Sequence, residues 1–142
     1  MSPDACPVWI DMDTQFYGFP EHSDHPGAKV AWHHVDEFVE PDAVAREVTA
    51  DDERPVLEYA ARRLPALTVE VTHRKVCLYT NTPERDFIVD RLPDEPRVTV
   101  VGGLSGHGFK FTVILGRLAA NLIAGEPPGF DLSRFRLTRF AA

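Results

Sequence analysis

The chain has 142 residues, 44% of them hydrophobic and 10% aromatic, which is enough for one folded domain or for parts of two. Its formal net charge of −7 argues against nucleic acid or an anionic membrane as a partner. No apolar run has the length of a membrane span, and the first residues lack the pattern of a signal peptide. Two cysteines, Cys6 and Cys77, form no disulfide framework, so the sequence predicts a cytoplasmic protein.

The first part of the chain has the pattern of a small antiparallel sheet. Strands are expected at residues 8–12, 15–20 and 29–35. Asp13-Thr14 is a plausible turn between the first two strands. In the third strand Lys29, Ala31 and His33 share one face, because side chains alternate along a strand. An acidic segment then leads through Pro41 into a short turn of helix.

A longer helix is predicted next, from Thr49 as N-cap to Arg63, just before Pro65. Acidic residues fill its first turn, where the helix dipole favours negative charge. Apolar residues recur at the spacing of one buried face, at Val56, Leu57, Ala60, Ala61 and Leu64. Further strands are expected at residues 68–72, 75–80, 87–90 and 97–101. Residues 130–140 are predicted to be a basic and aromatic tail that packs along a surface.

A glycine-rich stretch stands out between the last predicted strand and a second predicted helix. A buried strand at 97–101 leads into Gly102-Gly103-Leu104-Ser105-Gly106-His107-Gly108, and the helix of residues 111–124 ends at Gly125. Such a loop lets backbone N–H groups approach a ligand, with the positive end of the helix dipole behind them. The alternative is a tight turn whose glycines serve packing only.

Several other residues could carry chemistry. His22, His25, His33 and His34 invite a zinc hypothesis, but they lack cysteine partners and a fixed arrangement, so no metal site is predicted. Cys77 in a β-branched segment is by default a small buried hydrophobe. Lys29 would ordinarily be a solvated lysine of an edge strand. Lys110 precedes a helix, where a cation is unfavourable unless an anionic ligand lies nearby.

Five motifs occur in one order along the chain. They are Tyr17-Gly18-Phe19-Pro20, Lys29 with His33, Cys77-Leu78-Tyr79-Thr80-Asn81-Thr82-Pro83, Asp86-Phe87-Ile88-Val89-Asp90, and Gly103 to Phe111. From about residue 7 to residue 140, this pattern resembles the carboxyl-terminal half of the monomeric sarcosine oxidase and N-methyltryptophan oxidase family. These are FAD-dependent amine oxidases of the D-amino-acid oxidase superfamily.

The resemblance implies an α+β fold in two parts. Residues 1–80 would be a portion of a substrate domain, built on an antiparallel sheet. Residues 81–142 would be the carboxyl-terminal strand, loop and helix of an FAD-binding domain. This arrangement is incomplete without an amino-terminal Rossmann half.

The resemblance also implies a set of site residues. Cys77 matches the cysteine bonded to the 8α carbon of FAD, and the cofactor loop comprises Gly103, Leu104, Ser105, Gly106 and His107. Lys29 matches a lysine implicated in oxygen activation, and Lys110 matches one that binds the substrate carboxylate. Together with His33 these lysines are the expected catalytic residues. Tyr17 and Tyr79 are expected to line the substrate pocket.

The implied reaction is oxidation of a small secondary amine or N-methyl amino acid by FAD, with O2 as second substrate and hydrogen peroxide as product. The Gly-x-Gly-x-x-Gly motif that opens the family's FAD-binding domain does not occur in this sequence. We therefore expect a fragment, a truncated gene or one half of a split enzyme, inactive by itself and paired with a separate amino-terminal half. The alternative is a non-catalytic relic or binding module.

Overall fold

In the computed structural model, residues 1–22, 26–33, 37–67 and 70–140 are described. They form two compact units, Met1–Leu78 and Tyr79–Ala142. The α+β class is confirmed, because the described residues form two antiparallel sheets and two α-helices. The assignment of residues 1–80 and 81–142 to a substrate domain and an FAD-binding domain stays a prediction.

The first unit contains a three-stranded antiparallel sheet in the order β1 (Trp9–Ile10), β2 (Phe16–Phe19) and β3 (Lys29–Trp32). The predicted pairing of the first two strands is confirmed, and the turn between them is closed by the Gln15 N–H, which donates to the Asp11 carbonyl at 2.8 Å. The strands are shorter than predicted. Residues 34 and 35 of the predicted third strand lie outside the described residues.

The helix α1 (Ala50–Arg63) has the predicted bounds. The Thr49 N–H donates to the Asp52 carboxylate at 2.8 Å, and the Asp52 N–H donates back to the Thr49 hydroxyl at 3.3 Å. This capping box satisfies two backbone donors at the helix start. Tyr59 and Ala60 are the buried residues of the helix, whereas Ala61, predicted to face the core, is exposed.

The two strands predicted at residues 68–72 and 75–80 are wrong. Residues 70–80 contain no strand, although their β-branched composition favours one, and residues 68 and 69 lie outside the described residues. Composition alone does not make a strand, because a strand also needs a neighbouring strand to complete its backbone hydrogen bonds. The expected helical turn after the acidic segment is a single turn closed by the Ala43 N–H and the Glu40 carbonyl.

The second unit is built on an antiparallel hairpin of β4 (Ile88–Arg91) and β5 (Thr99–Gly102), packed against the helix α2 (Thr112–Ala124). Its core consists of Phe87, Val89, Leu115, Leu118 and Leu132. The expectation that the strand before the glycine loop is buried is wrong. Val101 in β5 is 37% exposed, because among the described residues β5 pairs with β4 alone.

The segment after α2 does more than cover a surface. It forms two 3-10 turns, Ser133–Phe135 and Leu137–Phe140, and it places Leu132 in the core. The Leu137 N–H donates to the Asp90 carboxylate at 2.9 Å, which fastens the segment to β4.

Several apolar side chains on and just before α2 are exposed. The side chains of Val113 and Ile123 are 89% and 72% exposed, and Phe109 in the preceding 3-10 turn is 93% exposed. The charged Arg117 is exposed between Val113 and Ile123 on the helix, and single exposed apolar residues of this kind are common on folded proteins. Within the described part of the chain, none of the helices is long and apolar enough to span a membrane.

Candidate functional site

The sheet of the first unit has one packed face and one open face. On the packed face the Phe16 ring stacks on Tyr59 of α1 at 4.3 Å and on Trp32 at 5.4 Å between ring centroids. The register pairs Phe19 with Lys29 and Tyr17 with Ala31, so these side chains belong to the other face. The predicted alternation of Lys29, Ala31 and His33 therefore brings Lys29 beside Tyr17.

The open face carries a cation surrounded by aromatic rings. The Lys29 ammonium donates a hydrogen bond to the Tyr17 hydroxyl at 3.0 Å and lies 5.2 Å from the centroid of the Phe19 ring. The edge of the His33 ring meets the Tyr17 ring at 5.9 Å, with the planes at 80°. No carboxylate within the described ranges forms an ion pair with Lys29, so its charge is available to a ligand.

Asp11 ties the hairpin of this sheet to α1. Its carboxylate accepts a hydrogen bond from the Tyr59 hydroxyl at 3.2 Å and lies 3.6 Å from the Arg63 guanidinium. Burial and the adjacent Asp11 carboxylate raise the pKa of Tyr59 above its usual value. Desolvation raises the Asp11 pKa, but hydrogen bonds from Thr14, Asp13 and Tyr59 outweigh it and hold that pKa below the ordinary carboxyl value. No local sequence pattern indicates this contact between hairpin and helix.

In the second unit, the glycine loop is held by Ser105. This residue is fully buried and has a left-handed backbone with φ of 46°. Its N–H donates to the Thr80 carbonyl at 3.1 Å, and its hydroxyl donates to the Gly103 carbonyl at 3.1 Å. The same hydroxyl accepts from the Thr82 N–H at 3.4 Å. Ser105 thus fixes the loop against residues 80–82, and it contributes no exposed group of its own.

Two of the loop glycines are required by packing and conformation. Gly103 and Gly106 have φ values of 58° and 74°, a region that other residues rarely adopt. A Cβ atom would lie 2.5 Å from the Thr82 side chain at Gly103 and 2.5 Å from the Tyr79 ring at Gly106. Neither reason applies to Gly102, where a Cβ would meet open space. Packing and conformation therefore explain Gly103 and Gly106, but they do not explain Gly102.

The loop keeps backbone donors for a ligand. The N–H groups of Ser105 and His107 are engaged with the Thr80 and Leu104 carbonyls. The N–H groups of Leu104 and Gly106 have no hydrogen-bond partner among the residues that the structure describes. A loop with unsatisfied backbone donors is suited to an acceptor-rich ligand.

His107 has a fixed orientation at the end of this loop. Its Nδ1 lies 3.0 Å from the Ser105 carbonyl oxygen, which can only accept, so Nδ1 carries the proton. The ring packs against Phe87 at 4.9 Å between centroids. In the neutral ring Nε2 is therefore the acceptor.

Lys110 lies in the 3-10 turn Phe109–Phe111 that leads into α2, and its side chain is exposed. Its ammonium lies 5.2 Å from the centroid of the Phe111 ring. The first turn of α2 contains no acidic residue and no capping side chain. The charge of Lys110 and the helix dipole therefore add up to a positive surface, which favours an anionic group.

Cys77 is exposed, so its reading as a buried hydrophobe is wrong. Metal binding finds no support in residues 1–22, 26–33, 37–67 and 70–140, where no three His, Cys, Asp or Glu side chains are grouped as ligands. His25 and His34 lie outside the described residues.

The predicted site residues fall into two groups. Tyr17, Lys29 and His33 lie together on the open sheet face of the first unit. Cys77 belongs to the same unit but not to its sheet. Tyr79, the glycine loop and Lys110 lie in the second unit. Phe19 is the neighbour of Lys29 that the sequence analysis did not select, although its place two residues after Tyr17 puts it on the same face.

These features suit a cofactor such as FAD. In the second unit, the loop has backbone N–H groups without a partner among the described residues, which suit the acceptor atoms of a flavin ring. In the first unit, the Cys77 thiol is exposed, and Lys29 has no carboxylate partner within the described ranges, which suits the negative charge that flavin chemistry produces.

The family follows from comparison with known proteins. Residues 2–122 match the FAD dependent oxidoreductase (DAO) family, and the chain belongs to it. It is 39% identical over 138 residues to N-methyl-L-tryptophan oxidase from Yersinia pestis, covering 96% of this chain and 36% of that protein. The Salmonella newport enzyme of the same name is 36% identical over 129 residues, with coverage of 89% and 34%.

A solved structure supports the fold. Iminodiacetate oxidase from Chelativorans sp. BNC1 matches with a TM-score of 0.74 and 21% identity, over 96% of this chain and 35% of that chain. The chain spans about a third of the length of the curated relatives it matches. The resemblance proposed from the motifs is confirmed, and FAD is the cofactor that the family implies.

Proposed function

We propose that this chain is the carboxyl-terminal part of an FAD-dependent oxidase of N-methyl amino acids or similar small secondary amines. The observation that carries the proposal is the Lys29 ammonium, held by Tyr17 on an open sheet face without a carboxylate partner among the described residues. Membership of the FAD dependent oxidoreductase family and the two N-methyl-L-tryptophan oxidase relatives support it.

Each expected site residue has a role in this proposal. Lys29 supplies a fixed positive charge where O2 becomes negatively charged during its reduction to hydrogen peroxide. Lys110, at the positive start of α2, binds the carboxylate of the amino acid. Tyr17 and His33 in the first unit and Tyr79 in the second are each assigned to binding and orienting the amine.

The remaining residues serve the cofactor. FAD would supply the hydride acceptor for the carbon next to the amine nitrogen and the electron donor to O2. Gly103, Leu104, Ser105, Gly106 and His107 would form the loop that holds the flavin, with backbone N–H groups as donors. Cys77, whose side chain is exposed, would be the residue that carries FAD covalently.

The test supplies the missing part of the enzyme. The chain is co-expressed with the amino-terminal two-thirds of the Yersinia pestis relative, and the complex is purified through a tag on the partner. We expect a flavin-containing complex that produces hydrogen peroxide from N-methyl-L-tryptophan or sarcosine. The partner alone and a complex carrying Lys29→Met are the controls. A complex that binds FAD but oxidises no secondary amine would support the non-catalytic binding module instead.

A further inference from the structure

The Phe19 ring is the least explained feature of the open sheet face. It is 39% exposed and adds nothing to the Phe16, Trp32 and Tyr59 stack on the opposite face. Its Cα is the direct cross-strand partner of the Lys29 Cα. The two side chains therefore meet through the register of the sheet rather than through a chance rotamer.

The contacts of the Lys29 ammonium separate the roles of its two aromatic neighbours. The ammonium lies 3.0 Å from the Tyr17 oxygen and 4.9 Å from the Tyr17 ring centroid. A hydrogen bond to a phenol oxygen alone accounts for both distances, so Tyr17 acts as an acceptor. Phe19 has no polar atom, and its centroid at 5.2 Å lies within the range of a cation–π contact.

The Phe19 ring is itself held in place. Its centroid lies 5.9 Å from that of Tyr17, with the ring planes at 86°. This edge-to-face pair is a favoured arrangement of aromatic rings. Phe19 and Tyr17 thus form two walls at right angles, with the ammonium close to both.

An uncharged aromatic ring and a carboxylate would affect the charge of Lys29 differently. An aspartate or glutamate beside Lys29 would fix the side chain but cancel much of its charge. An aromatic ring attracts the ammonium through its quadrupole and leaves the full positive charge in place. A lysine that must be both fixed and uncompensated is best held in this way.

We propose that Phe19 is a positioning residue that holds the Lys29 ammonium against the Tyr17 hydroxyl. The charge of Lys29, which has no carboxylate partner among the described residues, thereby stays at one point on the open sheet face. The holding of Lys29 stands on the contacts of the first unit alone. Its importance for oxygen reduction rests on the function proposed for Lys29.

The first experiment uses the chain as it is. It contains three lysines, Lys29, Lys75 and Lys110, so selective labelling with ¹³Cε-lysine gives three signals that Lys→Arg variants assign. In the unmodified chain we expect an upfield ring-current shift of the Lys29 Hε protons relative to Lys75, and an NOE to the Tyr17 ring. Phe19→Leu should abolish this NOE while the backbone amides of β2 and β3 keep their positions. Phe19→Tyr should retain it, because the ring is preserved.

Persistence of the Lys29–Tyr17 NOE in Phe19→Leu would overturn the proposal, because the hydrogen bond would then suffice. If Phe19→Leu disturbs the strand amides, Phe19→Met is measured instead, since it keeps more of the apolar volume. Loss of the strand amide positions in both variants would assign Phe19 to the fold and would equally overturn the proposal.

The second experiment uses the complemented enzyme and stopped-flow kinetics. Phe19→Leu should slow flavin reoxidation by O2 by about two- to fivefold, the size of one cation–π contact, and should leave anaerobic reduction unchanged. If the NOE is lost but reoxidation is unchanged, Phe19 positions Lys29 as proposed and the oxygen role of Lys29 is wrong. The two experiments therefore distinguish a failure of the positioning role of Phe19 from a failure of the oxygen role of Lys29.

Discussion

The lysines of this chain differ from its arginines in their partners. Several arginines lie within reach of a carboxylate, for example Arg134, whose guanidinium is 2.6 Å from Asp86. Within the described ranges neither Lys29 nor Lys110 has such a partner. Structural cations are usually paired, whereas cations that act on a ligand must keep their charge free.

Exchanging the two lysines for methionine should affect different half-reactions of the complemented enzyme. Lys110→Met should lower the efficiency of anaerobic flavin reduction about ten- to a hundredfold, since a charged hydrogen bond is worth about 1.5–3 kcal/mol. Lys29→Met should slow reoxidation and leave reduction largely intact, because O2 reduction creates the new negative charge. Stopped-flow measurement separates the two. Slower reduction in Lys29→Met alone would mean that the roles have been assigned wrongly.

Cys77 is predicted to hold the flavin covalently. In the complemented enzyme, flavin fluorescence should remain with this chain after acid precipitation and denaturing electrophoresis, and Cys77→Ser should release it. Cys6, the other cysteine, is the matched control, and Cys6→Ser should leave the linkage intact. Retention of flavin by the Cys77→Ser chain would exclude a bond to the Cys77 sulfur.

At the scale of elements, the loop and the helix α2 use glycine for opposite reasons. Gly106 combines a left-handed backbone with contact to the Tyr79 ring, so the loop needs glycine there. Gly116 lies inside α2, and a Cβ at that position would meet open space. No contact among the described residues therefore requires a glycine at this position. A glycine inside a helix lowers the free energy of unfolding, because it makes the unfolded chain more flexible.

These two glycines give a matched pair of alanine variants. Gly106→Ala should lower the free energy of unfolding by about 1–3 kcal/mol, because it adds backbone strain and a steric overlap. Gly116→Ala should raise it by about 0.5–1 kcal/mol through helix propensity. Urea unfolding followed by circular dichroism measures both. Equal effects of the two variants would contradict the left-handed geometry of the loop.

The capping box of α1 makes stability depend on pH. Hydrogen bonds from the Thr49 backbone and hydroxyl hold the Asp52 pKa below its ordinary value of 3.8. A lowered carboxyl pKa means that the stabilisation is present above the unfolded value and is lost as the pH falls through the folded value. Thermal melts between pH 7 and pH 3 should therefore show a larger loss in the unmodified chain than in Asp52→Asn.

The cap itself can be removed without touching a titratable group. Thr49→Ala should destabilise α1 by about 1 kcal/mol at pH 7, because the Asp52 N–H loses its acceptor. The same melts provide the measurement. A Thr49→Ala chain as stable as the unmodified one would show that the box contributes nothing.

At the scale of the whole molecule, the sequence contains no Gly-x-Gly-x-x-Gly, which is the pyrophosphate motif of its family. Its relatives are about three times as long. The proposed function, the carboxyl-terminal part of an oxidase, requires a further FAD-binding part.

The chain alone should bind FAD weakly or not at all. The proposed roles of the loop and of Cys77 concern the flavin end of FAD, whereas a pyrophosphate site supplies much of the anchoring of a dinucleotide. Titration of the purified chain, followed by flavin fluorescence, tests this. The complemented enzyme serves as the positive control. Tight, stoichiometric quenching by the chain alone would contradict the prediction.

Local sequence signals predicted much of this protein. The bounds of α1 followed from Thr49 and Pro65, the end of α2 from Gly125, and the first hairpin from its alternation and turn, because caps, glycines and turns act over a few residues. The motifs around Tyr17, Cys77 and Gly103 identified the family, which the comparisons confirmed. The alternation of side chains along a strand also predicted that Lys29 and His33 lie on the same face.

Only the tertiary structure decided the rest. Residues 70–80 have strand composition but no strand, and Cys77 is exposed, because pairing and burial depend on what lies alongside. Asp11 and Tyr59 are 48 residues apart and meet only in the folded chain. The contact of Phe19 with Lys29 depends on the register of two strands, and the burial of Ser105 depends on the segment packed over it. Local sequence patterns do not encode such contacts, since they arise only when separate elements pack together.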